Sequence, residues 1–325
     1  RTTLDVSGAL NDAETLRGRA ILSKESYGSW RTYGDGTEPQ TERFVGGVFV
    51  DYDVSEDVTV SVHYDKTNDE GSVDSGALYT LDGNRVGSDK HIWDAQWSQI
   101  ENDVENVGFD IAANLTDTWS LKTGFNYQDF ERIDMESYPS FRNMNPDGTG
   151  TVTQGGNYRH DKWRFRTAYV DLTTTADLAG TEHQLLFGAN WLGYSYYRGM
   201  DRFSSGEYAP DATVPAPSVG STSLGKMSTY DTWGFYIQDL ITINDEWQVL
   251  AGARFDRKVS DGVAEENVAP KLGVIYHPAS NGSIYASYSE SFEPQGVVSS
   301  GSRNYTNDGE LLDAATGVSY EVGTK

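Results

Sequence analysis

Residues 91–97 read HIWDAQW, residues 137–142 read SYPSFR and residues 194–199 read YSYYRG. Aromatic rings crowded beside arginine suit non-covalent capture, because they offer flat amphipathic faces and a guanidinium that pairs with or stacks on an anion. Trp93, Trp97, Tyr138, Phe141, Tyr196, Tyr197, Arg198 and Tyr208 are therefore the candidate ligand-binding residues. Covalent chemistry finds no comparable set. Ser287, Ser289 and Ser291 lack a G-x-S-x-G context and a nearby histidine. His63, His91, His160, His183 and His277 are scattered without ligand spacing, so no metal centre is expected. The run DKTNDEG (65–71) lacks glycine at the sixth position of a calcium loop. No phosphate-cradling loop is present. The chain reads as a binder without a resident cofactor, and not as an enzyme.

The elements that must position these residues are strands. In NGSIYASYSESFEPQ (281–295), Ile284, Ala286, Tyr288 and Phe292 alternate with Ser283, Tyr285, Ser287, Ser289 and Ser291. Such alternation marks a strand whose two faces meet different solvents. About thirteen segments behave this way, each close to the roughly 9–11 residues that cross a bilayer as a tilted strand. One parity carries Val58, Val60, Val62 and Tyr64, then Val107, Phe109 and Ile111, then Trp233, Phe235 and Ile237; the opposite parity is polar or glycine. Trp119, Trp163, Trp191, Trp233 and Trp247 are expected as interfacial rings on the outward face. Asp239 and Glu290 interrupt that face, which puts them near an interface or on a bulge. Arg254 and Asp256 have inward parity and are expected in an internal charge ladder or against a plug.

The connections alternate in length. Tight turns are predicted at Asn11–Glu14, Ser55–Asp57, Thr116–Asp117, Ala179–Glu182, Asn244–Glu246 and Pro278–Gly282. Between them lie polar, Gly-rich loops near 28–41, 68–102, 132–160, 200–228 and 294–316, with one short connection near 258–265. An up-and-down sheet then has all its tight turns at one edge and its long loops at the other, as outer-membrane barrels do. The fold class is all-β, a transmembrane antiparallel up-and-down β-barrel.

Composition agrees. The 325 residues carry 25 Lys plus Arg against 49 Asp plus Glu, a net charge of −24 that excludes a nucleic-acid partner. Aromatics make up 12% and all hydrophobics only 37%, a balance suited to interfacial belts more than to a compact soluble core. There is no cysteine, and no apolar run reaches the roughly 18 residues of a membrane helix. Both ends lie inside alternating runs, so the chain is expected to be part of a larger barrel.

Several runs resemble TonB-dependent outer-membrane receptors of the ferric-siderophore branch. They are YDTWGFYIQDLITINDEWQVLAGARFD (230–256), VAPKLGVIYHP (268–278), IYASYSESFEP (284–294) and LLDAATGVSYEVGTK (311–325), with TTLDVSGALNDAETLRGRA (2–20) resembling a first segment after a plug. The C-terminal third carries the densest match. The resemblance implies a plugged barrel of about twenty-two strands, of which residues 1–325 supply about 13, with the plug domain and the C-terminal strands absent. It also implies import of a ferric siderophore, energised by TonB through that plug and carried out in outer-membrane lipid. Iron is then cargo wrapped by its chelator. The alternatives are uptake of cobalamin or an oligosaccharide, a passive porin, or a secreted β-rich module.

Overall fold

A computed structural model describes residues 1–79, 83–220, 222–301 and 303–325, with the side chains of 204 and 205 also left aside. The expected loops 68–102, 200–228 and 294–316 each include residues outside that set. The strands are β1 (Thr2–Ala9), β2 (Leu16–Gly28), β3 (Thr32–Tyr33), β4 (Gln40–Ser55), β5 (Val58–Ser72), β6 (His91–Ile92), β7 (Gln99–Asn114) and β8 (Trp119–Met144). They continue as β9 (Gly150–Leu178), β10 (Thr181–Tyr208), β11 (Gly225–Thr242), β12 (Trp247–Ser260), β13 (Val263–Ala279), β14 (Gly282–Glu293) and β15 (Ala315–Thr324). All but β3 and β6 form one 13-stranded sheet in chain order, each strand pairing with the next, with β1 and β15 at its edges. The pairings are antiparallel throughout, and β3 pairs with β6 in a separate parallel ribbon.

The turns fall where the sequence puts them. Asp261 and Gly262 both have positive φ (49° and 83°), the left-handed pair that a two-residue hairpin needs to match strand twist. Register then assigns the faces. Leu4, Val6, Val48, Val62, Phe109, Phe235, Ile237, Leu272 and Ile284 share one face and are exposed, as the alternation requires of a lipid-facing row.

The other face is concave and polar. Four side chains reach across an entire strand to the next but one. His63 contacts Asn126 at 3.1 Å, Tyr169 donates to Asp110 at 2.8 Å, Arg254 donates to Asn190 at 2.9 Å, and Tyr236 donates to Asp171. Beneath each bridge the intervening strand carries a glycine in register, namely Gly108, Gly124, Gly234 and Gly188. A Cβ at any of these positions would collide with the bridging side chain. Inward side chains of β10 to β14 also line one cavity of about 450 Å³, so the sheet curves around this face.

Two expectations are corrected. Residues 132–160 are not a loop: β8 and β9 run on as a hairpin of 26- and 29-residue strands, leaving only 145–149 as its turn. Their composition misleads because, beyond the lipid, both faces meet water and no apolar row is needed. Trp163 accordingly sits in mid-strand and faces inward, while Trp119, Trp191, Trp233 and Trp247 keep the outward parity. Asp239 and Glu290 lie within three residues of a strand end in unbulged stretches, paired with His183 (2.7 Å) and the Tyr288 hydroxyl, which selects the interfacial alternative.

Candidate ligand-binding site

The inner face of the long-loop end, where β8, β9 and β10 rise side by side, gathers the densest set of charged and aromatic groups. Phe130, Trp163 and Tyr196 occupy opposed positions on the three strands. Their rings form a row, with centroids 4.7 Å apart for Phe130–Trp163 and 5.1 Å for Trp163–Tyr196, the latter pair within 3° of parallel. Arg132 lies 5.2 Å from the Trp163 ring centre and Arg198 lies 5.3 Å from that of Tyr196. Under these guanidiniums sit Asp134 and Asp161, whose side chains are 0% exposed.

Burying two carboxylates is costly unless each is paired and hydrogen-bonded. Arg159 bridges them, bonded to Asp134 and 2.7 Å from Asp161. Arg132 approaches both, at 3.3 and 3.7 Å. Asp161 Oδ1 also accepts from Tyr196 Oη at 2.6 Å and from Arg198 Nε at 2.8 Å. On β11, Met227 has no opposite number on β10, a bulge that shifts the register between Tyr196 and Tyr197. Deeper on the same face, Arg254 donates to Asp256 at 2.8 Å and lies 5.3 Å from the Tyr236 ring centre. Arg254 and Asp256 thus join Asp171, Tyr236 and Asn190 in one polar chain on the inner face.

The expected capture residues separate into three groups. Tyr196 and Arg198 belong to this wall. Trp93, Trp97 and Phe141 belong to a second assembly, a knot of loops above it. There Trp93 is 5% exposed, packed with Val86 and Val152 and edge-on to Phe141 at 5.4 Å, while Trp97 meets Phe203 at the same distance. The third group is dispersed. Tyr197 takes the outer parity with Arg164 5.9 Å from its ring centre, and Tyr208 ends β10 opposite Val152. Tyr138 is 52% exposed near the hairpin tip and donates to Glu136 at 3.1 Å.

The knot is held by polar contacts. Arg31, buried, donates to the Asp74 carboxylate and to the carbonyls of Gly76, Asp89 and His91, which ties loop 29–39 to loop 73–98 alongside the β3–β6 ribbon. Asp94 accepts from Ser75 N (2.7 Å), Ser75 Oγ (2.9 Å) and Ser137 Oγ (3.1 Å), docking loop 73–98 onto β8. Burial pushes its pKa upward despite these bonds. Gln154 donates to the Trp93 carbonyl at 2.7 Å, and Gln96 accepts from Val214 N at 3.1 Å, joining loop 209–224 as well.

Phe130, Arg132, Asp134, Arg159, Asp161 and Trp163 are absent from the expected set. Their signal was the alternation F-x-R-x-D and R-x-D-x-W at 130–134 and 159–163, which lies in or beside the stretch taken for a loop.

A meandering antiparallel wall with an apolar outer face, a concave polar inner face and all its elaborate loops at one end defines an outer-membrane β-barrel receptor. Residues 47–325 match the family model described as "TonB dependent receptor-like, beta-barrel", and the chain belongs to that family. Among curated relatives, the metal-pseudopaline receptor CntO of Pseudomonas aeruginosa (strain UCBPP-PA14) is 23% identical over 353 residues, covering 100% of this chain and 47% of the relative. The ferripyoverdine receptor of P. aeruginosa PAO1 is 26% identical over 346 residues, covering 100% of this chain and 40% of that receptor. The crystal structure of the P. aeruginosa outer-membrane ferripyoverdine receptor bound to ferripyoverdine superposes with a TM-score of 0.84 at 20% identity, over 99% of this chain and 44% of that one. BauA, the ferric preacinetobactin receptor of Acinetobacter baumannii, gives 0.81 at 13% identity, over 99% and 49%. The chain spans less than half the length of the curated relatives named here. These relatives are receptors, not enzymes, and the family resides in the outer membrane of Gram-negative bacteria.

Proposed function

We propose that this chain forms part of the barrel wall of a receptor that binds a ferric siderophore and imports it with energy from TonB. A plug domain and the remaining strands complete the barrel. The observation that carries the reading is the family match combined with the inner wall of Phe130, Trp163, Tyr196, Arg132 and Arg198 at the loop end. That wall suits a bulky polar ligand entering from outside, and it offers no group for covalent chemistry. Relatives named for ferripyoverdine and for metal-pseudopaline support a chelated metal as cargo, not a free ion. The protein need not ligate the metal itself, because the chelator satisfies its coordination.

The test is uptake of radiolabelled iron chelates by iron-starved cells carrying or lacking the intact gene. Deletion should abolish uptake of at least one ferric siderophore, and a protonophore should abolish it equally in the parent strain. Uptake that survives the protonophore points to a passive pore and ends the reading.

A further inference from the structure

Building on the ferric-chelate reading, we propose that the loop-end wall selects its ligand by negative charge. Arg132, Arg159 and Arg198 form a cationic cluster for a chelate bearing free carboxylates, catecholate oxygens or comparable anionic groups. Stacking on aromatic faces is not what this wall offers.

The argument starts from what the rings have left to give. Trp163 is flanked by Phe130 and Tyr196 and capped by Arg132. Tyr196 has Trp163 on one side and Arg198 on the other. Tyr230, the next ring along, stacks on Tyr194 with centroids 4.6 Å apart and has the Lys258 ammonium 4.9 Å from its centre. Ring faces that stack on one another or hold a cation are closed to a third party, so an incoming molecule meets ring edges and the cations above them.

The vertical order of charge points the same way. Glu136, Asp134 and Asp161 together balance Arg132, Arg159 and Arg198, so the cluster is not selected for net charge. The two aspartates, however, are 0% exposed, while the three arginine side chains are 29%, 19% and 32% exposed. Glu136 is engaged by the Tyr138 hydroxyl at 3.1 Å. Arg198 meets Asp161 only through Nε, and among the described residues its two terminal nitrogens have no protein acceptor. Arg132 makes ion contacts at 3.3 and 3.7 Å without a hydrogen bond among those residues. Carboxylates below fix the guanidiniums, the Nε atoms of Arg132 and Arg159 are buried, and the unspent terminal nitrogens of Arg198 lie on the inner face. In a chain carrying −24 overall, this is a local inversion of the accessible sign. Guanidinium donors held in place recognise paired anionic oxygens well, because their geometry is set before the ligand arrives.

The experiment uses the intact, full-length receptor in detergent, with binding read by tryptophan quenching. The probes are ferric citrate and a ferric tris-catecholate as anionic complexes, and a ferric trihydroxamate as the neutral one. The expected result is at least about tenfold tighter binding of an anionic probe. Arg198→Gln and Arg132→Gln should each weaken that binding roughly tenfold and change the neutral probe far less, while Arg198→Lys, which keeps the charge but loses the fork, restores only part of it. Salt should weaken only the anionic probes. A neutral probe bound as tightly as the anionic ones, or an Arg198→Gln protein of unchanged fold and unchanged affinity, overturns the charge inference and leaves the import reading standing. Failure of every chelate to bind overturns both.

Discussion

Tyr196 and Asp161 share a 2.6 Å hydrogen bond on the inner wall, at the same carboxylate oxygen that receives Arg198 Nε. The carboxylate has no exposed surface and is met by Arg159, Arg132 and Arg198. Asp161→Asn removes the charge, leaves Arg198 without a carboxylate and leaves Arg132 and Arg159 sharing Asp134 alone, so it should cost about 3–5 kcal/mol. Tyr196→Phe removes one neutral donor and should cost about 1 kcal/mol. Urea unfolding of the membrane-inserted protein checks both, and equal costs for the two variants would contradict this ranking.

The glycines beneath the inner-face bridges yield a second prediction. Gly188 separates Tyr236 from Asp171, and its missing side chain is what lets the phenol cross β10. Gly188→Ala should break the bridge and destabilise the barrel by about 1–3 kcal/mol, as overpacking does. In a Tyr236→Ser background the same alanine should cost almost nothing. A similar loss in both backgrounds shows instead that the strand itself needs glycine.

The glycines also show how much could be read in advance. Their inward parity was visible in the alternation, as were nearly every turn and the assignment of lipid-facing rows. Their purpose was not, because it depends on which residues two strands away lie in register. The inner wall was missed for a related reason. Sequence alternation reports a difference in solvent between two faces, and at 130–134 and 159–163 both faces are polar. Trp93 and Trp97 were singled out by type, but type alone does not separate a ring that awaits a ligand from one that anchors a loop. Tyr196 and Arg198 were singled out by type as well, as an aromatic and an arginine in YSYYRG, and Tyr197 beside them takes the opposite face.

Acidification should loosen the loop knot. Burial, and then the Arg31 charge, hold the His91 pKa below its ordinary 6.5, so the docked loop keeps this imidazole neutral. Undocked, it takes up a proton near 6.5. Between that value and its lower docked value the undocked state binds more protons, so docking is strongest above 6.5 and weakens as pH falls. Asp94 contributes in the opposite sense at lower pH, since its raised pKa favours a proton in the docked state. Amide exchange across 73–98 should therefore accelerate on going from about pH 7.5 to 5.5, after correction for intrinsic rates. His91→Phe, which keeps a ring against Trp93, should abolish that part of the dependence.

Arg31 sets the baseline of the same measurement. Among the described residues it alone ties the Asp74 carboxylate to three backbone carbonyls, those of Gly76, Asp89 and His91. Arg31→Met keeps much of the volume and removes every donor, which leaves buried acceptors unsatisfied. Exchange in 73–98 should rise at least about tenfold at pH 7.5, with the strand amides of β9 and β10 unchanged. Unaltered exchange in the loop would mean that the Asp94–Ser137 contacts suffice to hold the knot.

The His183–Asp239 pair gives the sharpest test of which face meets lipid. Both residues have outward parity, near the tight-turn end of β10 and β11, with Nδ1 and Oδ2 2.7 Å apart and Thr181 Oγ1 3.0 Å from His183 Nε2. If this row borders hydrocarbon, removing one partner strands a carboxylate where hydration is poor, whereas replacing both with apolar side chains removes the burden altogether. His183→Leu alone should destabilise the inserted protein by about 1–3 kcal/mol. The His183→Leu, Asp239→Leu double variant should return to within about 1 kcal/mol of the parent, or exceed it. A soluble sandwich has no such reason to favour leucine on an exposed face. Folding free energies in lipid vesicles decide the matter, and a double variant as unstable as the single one would place this row in water.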